Sequence, residues 1–409
     1  MTTQIETIMI GGGQAGLATS YHLSRRQCEH IVFEKGDQPG NAWAKDRWDS
    51  FCLNTPNWAF RLPGAEYHDS APDAYMERPE IVARFEAYVR EFELPIRYGV
   101  TVTAVEQDGA GCRYLVRTED GDWAANNVVI ATGLFQYPKR PSGTAEISPR
   151  ITQLAASEYR NPDTLPPGAV LVVGSAQSGC QIAEELYKSG RHVYLCTGSG
   201  GRAPRRYRGK DTFEWLDRSG FFNRPAESLP TPQTKYMALP QLSGNDGGHN
   251  LNLNQFSLDG VTLLGHWQGG DESTLHFAPD LRENLAKADA FEAQLLKTID
   301  TFIDQAGLDA PEEEVPYLRN AYDDEIITAA GILESGITSI IWATGFGFDF
   351  SMVKLPVLAA DGYPVQHKGI TSYPGLYFAG LPWLEGIRSG LLVGVGEQTA
   401  DVAQAISAK

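Results

Sequence analysis

Cysteine is scarce in this chain of 409 residues, and it is never paired in sequence. The five cysteines lie far apart and form no CxxC motif; they are Cys28, Cys52, Cys112, Cys180 and Cys196. Paired cysteines are typical of zinc sites, disulfide frameworks and redox-active disulfides, so the sequence argues against all three. We expect a reducing, cytoplasmic location. The 8 histidines show no metal-ligand spacing either, and no metal site is predicted.

Long apolar runs and an excess of positive charge are also missing. No apolar segment approaches the roughly 20 residues that a membrane-spanning helix needs. The first residues lead directly into a strand-like segment, so we expect no signal peptide. The chain has 34 basic and 51 acidic residues, a formal net charge of -17, which would repel nucleic acids and anionic membranes. We therefore expect a small-molecule substrate and neither of those partners; homo-oligomerisation stays open.

Glycine, in contrast, is abundant, and it builds two turns of one kind. GGGQAG occupies residues 11–16 and GSAQSG occupies residues 174–179. Each turn follows an apolar segment and precedes a helical pattern and a second apolar segment, which is the order of a dinucleotide-binding unit. A later apolar strand ends in Ala-Thr-Gly at 131–133, and another at 343–345. The repetition predicts an α/β fold with two Rossmann-like dinucleotide-binding domains.

Turn-forming and alternating segments suggest how these domains are arranged. Residues 96–130 alternate apolar and polar side chains, which predicts an antiparallel β-meander inserted in the first domain. Residues 161–168 are rich in proline and turn formers and are the predicted hinge. The predicted division is a discontinuous first domain at 1–165 plus 326–409, and a second domain at 166–325 with a long loop and helix insertion at about 207–325.

The residue after the second strand of each unit indicates which nucleotide binds there. In the first unit it is Glu34, which can accept the ribose hydroxyls but would repel a 2′-phosphate, so we expect FAD or NAD. At the same offset in the second unit stands Thr197, which is followed by Arg202, Arg205, Arg206 and Arg208. These arginines could pair with the 2′-phosphate of NADPH, or they could form a solvated basic loop. The pair of sites predicts hydride transfer from NADPH to FAD.

The predicted cofactor-binding residues follow from these motifs. At the first site they are Gly11, Gly13, Gln14, Ala15, Gly16, Glu34, Lys35, Val102, Ala131, Thr132 and Gly133. At the second site they are Gly174, Ser175, Ala176, Gln177, Ser178, Gly179, Thr197, Arg202, Arg205, Arg206, Ala343, Thr344 and Gly345. The glycines allow the tight bend, the approach of a pyrophosphate and the close packing of helix on strand.

Together with PGNAWAKDRWDSFCLNTP at 39–56 and GLYFAGLPW at 375–383, the two turns and the two Ala-Thr-Gly strands resemble one flavoprotein family. These are the class B flavin monooxygenases, in particular the short bacterial members related to the plant YUCCA enzymes, and the resemblance covers essentially the whole chain. It implies an FAD-containing, NADPH-dependent monooxygenase that oxygenates a small organic substrate with dioxygen through a flavin C4a-hydroperoxide. Oxygenation at nitrogen or sulfur is favoured, and Baeyer–Villiger insertion stays open. The alternative is an oxidase or reductase that passes electrons from NADPH through FAD to dioxygen, a quinone or a small redox protein.

The resemblance also implies roles for single residues. Asn54 stands where the family places an asparagine ahead of the flavin ring and is the predicted catalytic residue; a structural asparagine that satisfies loop backbone is the alternative. Trp43 is predicted to wall the flavin pocket, and Gly380 and Leu381 to reach the flavin ring and pyrophosphate. The chain departs from the family's FxGxxxHxxxY/W motif, because Ala155 replaces its histidine.

Overall fold

The computed structural model of this chain describes residues 2–109, 114–198, 200–236 and 239–408, and Cys112 lies outside the described residues. The helices are α1 Gln14–Arg25, α2 Asn41–Lys45, α3 Arg78–Glu91, α4 Gln177–Lys188, α5 Thr212–Arg218, α6 Leu253–Leu258, α7 Leu281–Ala306, α8 Ile332–Ser335 and α9 Val395–Ser407. Within the described residues, no helix combines the length and apolarity needed to cross a bilayer.

The strands up to residue 211 are β1 Thr3–Ile10, β2 His30–Phe33, β3 Arg61–Leu62, β4 Ala65–Glu66, β5 Ile96–Arg97, β6 Val102–Gln107, β7 Tyr114–Thr118, β8 Gly121–Ile130, β9 Tyr137–Pro138, β10 Thr152–Ala155, β11 Ala169–Val173, β12 Val193–Cys196, β13 Arg206–Tyr207 and β14 Lys210–Asp211. The remaining strands are β15 Thr262–Leu264, β16 Trp267–Gly270, β17 Thr274–Phe277, β18 Ala329–Gly331, β19 Ile337–Trp342, β20 Phe346–Gly347 and β21 Leu376–Phe378.

The first large sheet has the strand order β5-β2-β1-β8-β7-β6, with β21 also paired to β8. Strands β5, β2, β1, β8 and β21 run parallel. The apolar end of β1 is buried on both faces, as expected for a strand covered by helices and neighbouring elements. Strands β6, β7 and β8 pair antiparallel in sequence order, so residues 102–130 add an antiparallel ribbon to this sheet. Strand β5, at the start of the predicted meander, is not part of that ribbon, because it pairs parallel with β2.

The second large sheet is wholly parallel and has the order β10-β19-β11-β12-β15. Its central strand β11 reads AVLVV and is buried along its full length. The predicted α/β fold with two Rossmann-like units is confirmed. The domain division stays a prediction, and the strand pairing places β10 and β19 in the second sheet rather than in the first domain to which the sequence assigned them. Strand β15 of the second sheet also lies within the predicted insertion at 207–325.

The two Ala-Thr-Gly segments are joined directly after they leave their sheets. Strand β9 follows the first segment and pairs antiparallel with β20, which follows the second. The amide of Lys139 donates to the carbonyl of Gly345 at 2.9 Å. An apolar core also runs across both sheets, since Met9 and Val129 belong to the same cluster as Val172 and Ile341. The carboxyl ends of β1 and β11 are therefore held within one packed body.

Candidate dinucleotide-binding sites

The two glycine turns have the same backbone geometry. Gly11 has φ +113 and Gly174 has φ +108, values that side chains rarely adopt. A Cβ at Gly11 would lie 2.6 Å from the carbonyl oxygen of Ala131, and a Cβ at Gly174 would lie 2.6 Å from that of Ala343. Each turn therefore packs against the alanine of its own Ala-Thr-Gly strand, and neither turn accepts a larger residue.

The last glycine of each turn packs the helix onto the turn itself. A Cβ at Gly16 would collide with the carbonyl oxygen of Gly11, and a Cβ at Gly179 would collide with that of Gly174. The residues that precede helices α1 and α4 are also alike: Gly13 has φ -84 and ψ -172, and Ala176 has φ -78 and ψ -171. The substitution of alanine for glycine at 176 thus leaves the turn unchanged.

Both helices offer free amides at their starts. The first amides of an α-helix have no acceptor within the helix, and they carry the positive end of its dipole. These are the amides of Gln14, Ala15 and Gly16 in α1 and of Gln177, Ser178 and Gly179 in α4. A Cβ at Gly13 would meet nothing within 4 Å, so the space before α1 is open. Both helix starts have the properties of a pyrophosphate site.

Glu34 is buried beside the first turn and is already oriented by main-chain amides. One carboxylate oxygen accepts from Gly12 at 2.6 Å and the other accepts from Gly36 at 2.7 Å. Val100 donates its amide to the carbonyl of Glu34 at 3.0 Å, which brings the start of β6 and Val102 close to this acid. Lys35 is exposed. The acid thus lies at the carboxyl end of β2, where an adenosine ribose would lie against the first turn.

The Ala-Thr-Gly strands end beside the two turns. Thr132 accepts a hydrogen bond from Gln136 at 3.1 Å, and Gly133 adopts φ +69. In the second unit the Thr344 hydroxyl donates to the carbonyl of Lys139, and Gly345 adopts φ +83. Both segments therefore turn sharply away from the sheet at the predicted ligand edge.

The second unit carries a neutral residue where the first carries its acid. Thr197 is buried, and its hydroxyl donates to the carbonyl of Leu264 at 2.7 Å. Ser175 accepts the amide of Gly198 at 3.0 Å, which closes the turn onto the end of β12. The side chain at position 197 is uncharged. It would therefore not repel a 2′-phosphate, as Glu34 would at the first site.

Two of the arginines predicted to bind the 2′-phosphate, Arg202 and Arg205, are paired with carboxylates of the chain itself. Arg202 is buried and forms ion pairs of 2.5 Å with Asp289 and 2.8 Å with Glu292, both on α7. Arg205 is buried and pairs with Asp211. A buried guanidinium needs a carboxylate or carbonyl partner in place, so neither side chain is free for a nucleotide or for solvent.

Arg206 is the exposed member of this group. Its guanidinium donates to the carbonyls of Gly248 at 3.0 Å and Gly247 at 2.9 Å. It therefore fastens a loop, and its predicted contact with the 2′-phosphate stays a prediction. The sequence signal for the internal pairing was the acidic pair Asp289 and Glu292, three residues apart on an apolar helix face.

A distant segment of the chain is hydrogen-bonded to each turn, and the sequence did not indicate which segment. The side chain of Gln177 donates to the carbonyl of Leu242 at 2.6 Å and accepts its amide at 2.9 Å. Gln241 donates to the carbonyl of Ser175. In the first unit Gln14 donates to the carbonyl of Gly390 at 2.9 Å. A glutamine at the same position of both turns was the available signal, but its partners lie far away in sequence.

One of the predicted flavin-ring segments packs against the first turn. Gly380 adopts φ +70, and a Cβ there would collide with the side chain of Ala15, while Leu381 is buried. Trp43 is half-buried, and the Arg47 guanidinium lies 5.2 Å from its ring centroid. The structure therefore brings the stretch 380–381 against α1 at the first turn.

Asn54 lies between the first unit and the chain that follows β12. It is half-buried, and its carbonyl accepts a hydrogen bond of 2.8 Å from Arg205. Its side-chain amide forms no hydrogen bond with the described residues, so that amide is available to a ligand. Nearby, burial raises the pKa of Cys52 to about 12, which keeps its thiol protonated and unsuited to disulfide exchange.

Comparison with known proteins gives three relevant likenesses. A family model described as pyridine nucleotide-disulphide oxidoreductase matches residues 8–214, just over half of the chain. An uncharacterized CzcO-like oxidoreductase of Geobacillus kaustophilus is 30% identical over 395 residues, covering 96% of this chain and 95% of the relative. The probable indole-3-pyruvate monooxygenase YUCCA1 of Arabidopsis thaliana is 28% identical over 211 residues, half of each chain.

A solved structure extends the likeness to the whole fold. The flavin-containing monooxygenase of Stenotrophomonas maltophilia superposes with a TM-score of 0.68 at 18% identity, covering 100% of this chain and 99% of that one. At this identity the likeness concerns the fold, with its two dinucleotide-binding units.

Proposed function

Because this chain belongs to the pyridine nucleotide-disulphide oxidoreductase family and has the fold of the class B flavin monooxygenases, we propose that it is an FAD-containing, NADPH-dependent monooxygenase. The observation that carries the proposal is the pair of equivalent turns, of which only the first has a buried acid at the end of its second strand. One site suits a nucleotide with free ribose hydroxyls, and the other tolerates a phosphorylated one.

FAD fits the residues of the first site. The amides of Gln14, Ala15 and Gly16 would hold the pyrophosphate, and the Glu34 carboxylate would accept the ribose hydroxyls. Gly380 allows the C-terminal stretch to reach α1 beside them. When bound, the flavin accepts a hydride from the nicotinamide and activates dioxygen.

The nicotinamide dinucleotide fits the second site, where α4 starts with free amides of the same geometry. The preference for NADPH rests on the neutral Thr197 at the end of β12. Because Arg202 and Arg205 are internally paired, the 2′-phosphate contact must come from other groups.

Oxygen transfer to a small substrate is favoured over transfer of electrons to a disulfide. The thiols of Cys52, Cys180 and Cys196 are buried, and burial raises the pKa of each. Asn54 offers a side-chain amide that has no hydrogen-bond partner among the described residues, and we assign it to a hydrogen bond with the reacting group. The balanced reaction consumes substrate, dioxygen, NADPH and a proton, and yields the oxygenated substrate, NADP⁺ and water. Nucleophilic nitrogen and sulfur centres are the proposed acceptors, with ketones as the alternative.

Stopped-flow absorbance tests this proposal. The holoenzyme is reduced with NADPH under anaerobic conditions and mixed with dioxygen. We expect a transient absorption band distinct from both reduced and oxidised flavin, which decays faster when an accepted amine or thioether is present. A screen of amines, thioethers, aldoximes and ketones should then give one oxygenated product per NADPH consumed. Direct return to oxidised flavin, with one hydrogen peroxide per NADPH under every condition, would instead establish the oxidase.

A further inference from the structure

Arg205 connects Asn54, the predicted catalytic residue, to a distant part of the chain. It lies in the segment that follows β12, yet one of its guanidinium nitrogens donates to the carbonyl of Asn54 at 2.8 Å and approaches that of Ser243 at 3.4 Å. Arg205 is only 1% exposed. Burial of an arginine raises the free energy of the folded state unless hydrogen bonds and ion pairs replace the lost hydration. The contacts of Arg205 are therefore expected to be specific.

An acid and a tyrosine fix the orientation of this guanidinium. The second guanidinium nitrogen pairs with one oxygen of Asp211, and the Tyr75 hydroxyl donates to the other oxygen at 2.6 Å. The guanidinium carbon lies 4.9 Å from the centroid of the Tyr75 ring, within the range of a cation–π contact. Burial raises the pKa of Tyr75, so the hydroxyl stays protonated and keeps donating. Asp211 in turn caps helix α5 through the amide of Phe213.

Backbone packing adds a second tie between the same two segments. A Cβ at Gly244 would collide with the carbonyl oxygen of Leu53, so the chain beside Ser243 rests directly on the residue before Asn54. The amide of Leu53 donates to Met76 at 2.8 Å, next to Tyr75. The main chain at residues 53–54 is therefore held from both sides, while the Asn54 side-chain amide is left free.

We propose that Arg205 is a positioning residue for Asn54: it fixes the Asn54 carbonyl and thereby restricts the orientation of the free side-chain amide. This inference rests on the proposed function for the role of Asn54. Arg205 was predicted from sequence as a ligand of the 2′-phosphate, and here it is assigned a role in oxygen transfer instead. Lysine cannot replace it, because a single ammonium cannot present fixed parallel donors to a carbonyl and a carboxylate.

Two measurements on the FAD-loaded protein test the inference. The first is hydrogen exchange of the amides of residues 50–58 in the oxidised protein, without turnover. In Arg205→Lys we expect these amides to exchange about tenfold faster, as loss of a charge-assisted hydrogen bond implies. The second is coupling, the fraction of NADPH that ends as oxygenated product rather than hydrogen peroxide. We expect Arg205→Lys to lower coupling as Asn54→Ala does, with the KM for NADPH unchanged.

Controls separate positioning from general loss of structure. Arg191 also holds a loop, through the carbonyls of Pro162, Leu165, Pro166 and Gly168, and Arg191→Lys should alter neither measurement. If Arg205→Lys does not fold, Tyr75→Phe removes only the hydroxyl that braces Asp211 and should shift both measurements in the same direction by less. The double variant Asn54→Ala/Arg205→Lys should be no less coupled than Asn54→Ala alone.

Opposite results would overturn the inference. These are unchanged exchange at 50–58 in Arg205→Lys, additive losses of coupling in the double variant, or a raised KM for NADPH with normal coupling. If Asn54→Ala itself leaves coupling unchanged, the catalytic role in the proposed function fails, while the exchange measurement still decides whether Arg205 holds the segment.

Discussion

At the scale of single residues, the partners of a charged side chain near the two predicted nucleotide sites decide whether it can contact a ligand. Glu34 is oriented by two backbone amides and remains able to accept ribose hydroxyls. Arg202 is buried and pairs with the carboxylates of Asp289 and Glu292. Both residues lie near the end of a second strand, but Arg202 is paired internally, whereas Glu34 is the residue predicted to contact a nucleotide.

Arg202 should act on stability rather than on coenzyme affinity. Arg202→Ala leaves two carboxylates of α7 without their counter-ion in a buried setting, and breaking such a pair costs about 3–5 kcal/mol. We expect a much lower melting temperature and an unchanged KM for NADPH in the variant that remains folded. Arg117→Ala, which removes a surface cation paired with Glu106 and Asp122, should change the melting temperature little. A raised KM with normal stability would restore the 2′-phosphate role.

Glu34 should determine the retention of FAD. Glu34→Gln keeps the size of the side chain but removes its charge and one of its two acceptors. A hydrogen bond to a charged group contributes about 1.5–3 kcal/mol, so FAD should bind about ten- to hundredfold more weakly. Titration of apoprotein with FAD, followed by flavin fluorescence, measures this. Thr197→Val alters the corresponding position of the second unit and should leave the FAD affinity unchanged; an equal loss there would show a general structural effect.

At the scale of elements, the strand–turn–helix units could be predicted from sequence because the residues that define them are close together in the chain. The turns 11–16 and 174–179 fall in register with α1 and α4, as the glycine spacing predicted. The partners of Arg202 and Gln177 were not readable, because they come from α7 and from Leu242, far along the chain. The pairing of β10 and β19, which lie in segments that the predicted division places in the first domain, was not evident for the same reason: strand neighbours are set by crossovers between distant segments.

The two helix starts can be disturbed one at a time. Gly179→Ala would place a methyl group against the carbonyl of Gly174, and overpacking of this kind costs about 1–3 kcal/mol. We expect the KM for NADPH to rise about tenfold or more while FAD content stays normal. Gly16→Ala makes the same clash with Gly11 and should cause FAD loss instead. Steady-state kinetics and flavin absorbance distinguish them, and equal effects of both variants on both nucleotides would refute the assignment of one nucleotide to each turn.

At the scale of the whole molecule, the loop 243–250 connects separate parts of the structure. Its Gly244 rests on Leu53 of the first unit, and its Ser243 faces Arg205. At its other end His249 lies 2.6 Å from Glu184 on α4 of the second unit. The loop thus contacts both the chain beside Asn54 and helix α4, which starts at the second turn. We expect these contacts of the loop to contribute to the stability of the folded chain.

This attachment should make stability depend on pH. The hydrogen bond to Glu184 raises the pKa of His249 above its usual value, with burial and Lys188 opposing the shift and the carbonyl of Asn245 supporting it. A group whose pKa is raised on folding stabilises the folded state fully below the unfolded pKa of about 6.5, and this stabilisation is lost as the pH rises through the higher folded pKa.

The prediction is therefore a difference between wild type and His249→Gln in their melting temperatures. The difference should be largest near pH 6 and should shrink steadily above the unfolded pKa of about 6.5, because glutamine cannot carry the charge that pairs with Glu184. His276→Gln is the control, since His276 lies exposed on β17, outside the loop 243–250. Melting curves of the FAD-loaded proteins across this range measure the effect. A difference that stays constant, or grows with pH, would mean that His249 holds the loop as a neutral hydrogen-bonding group.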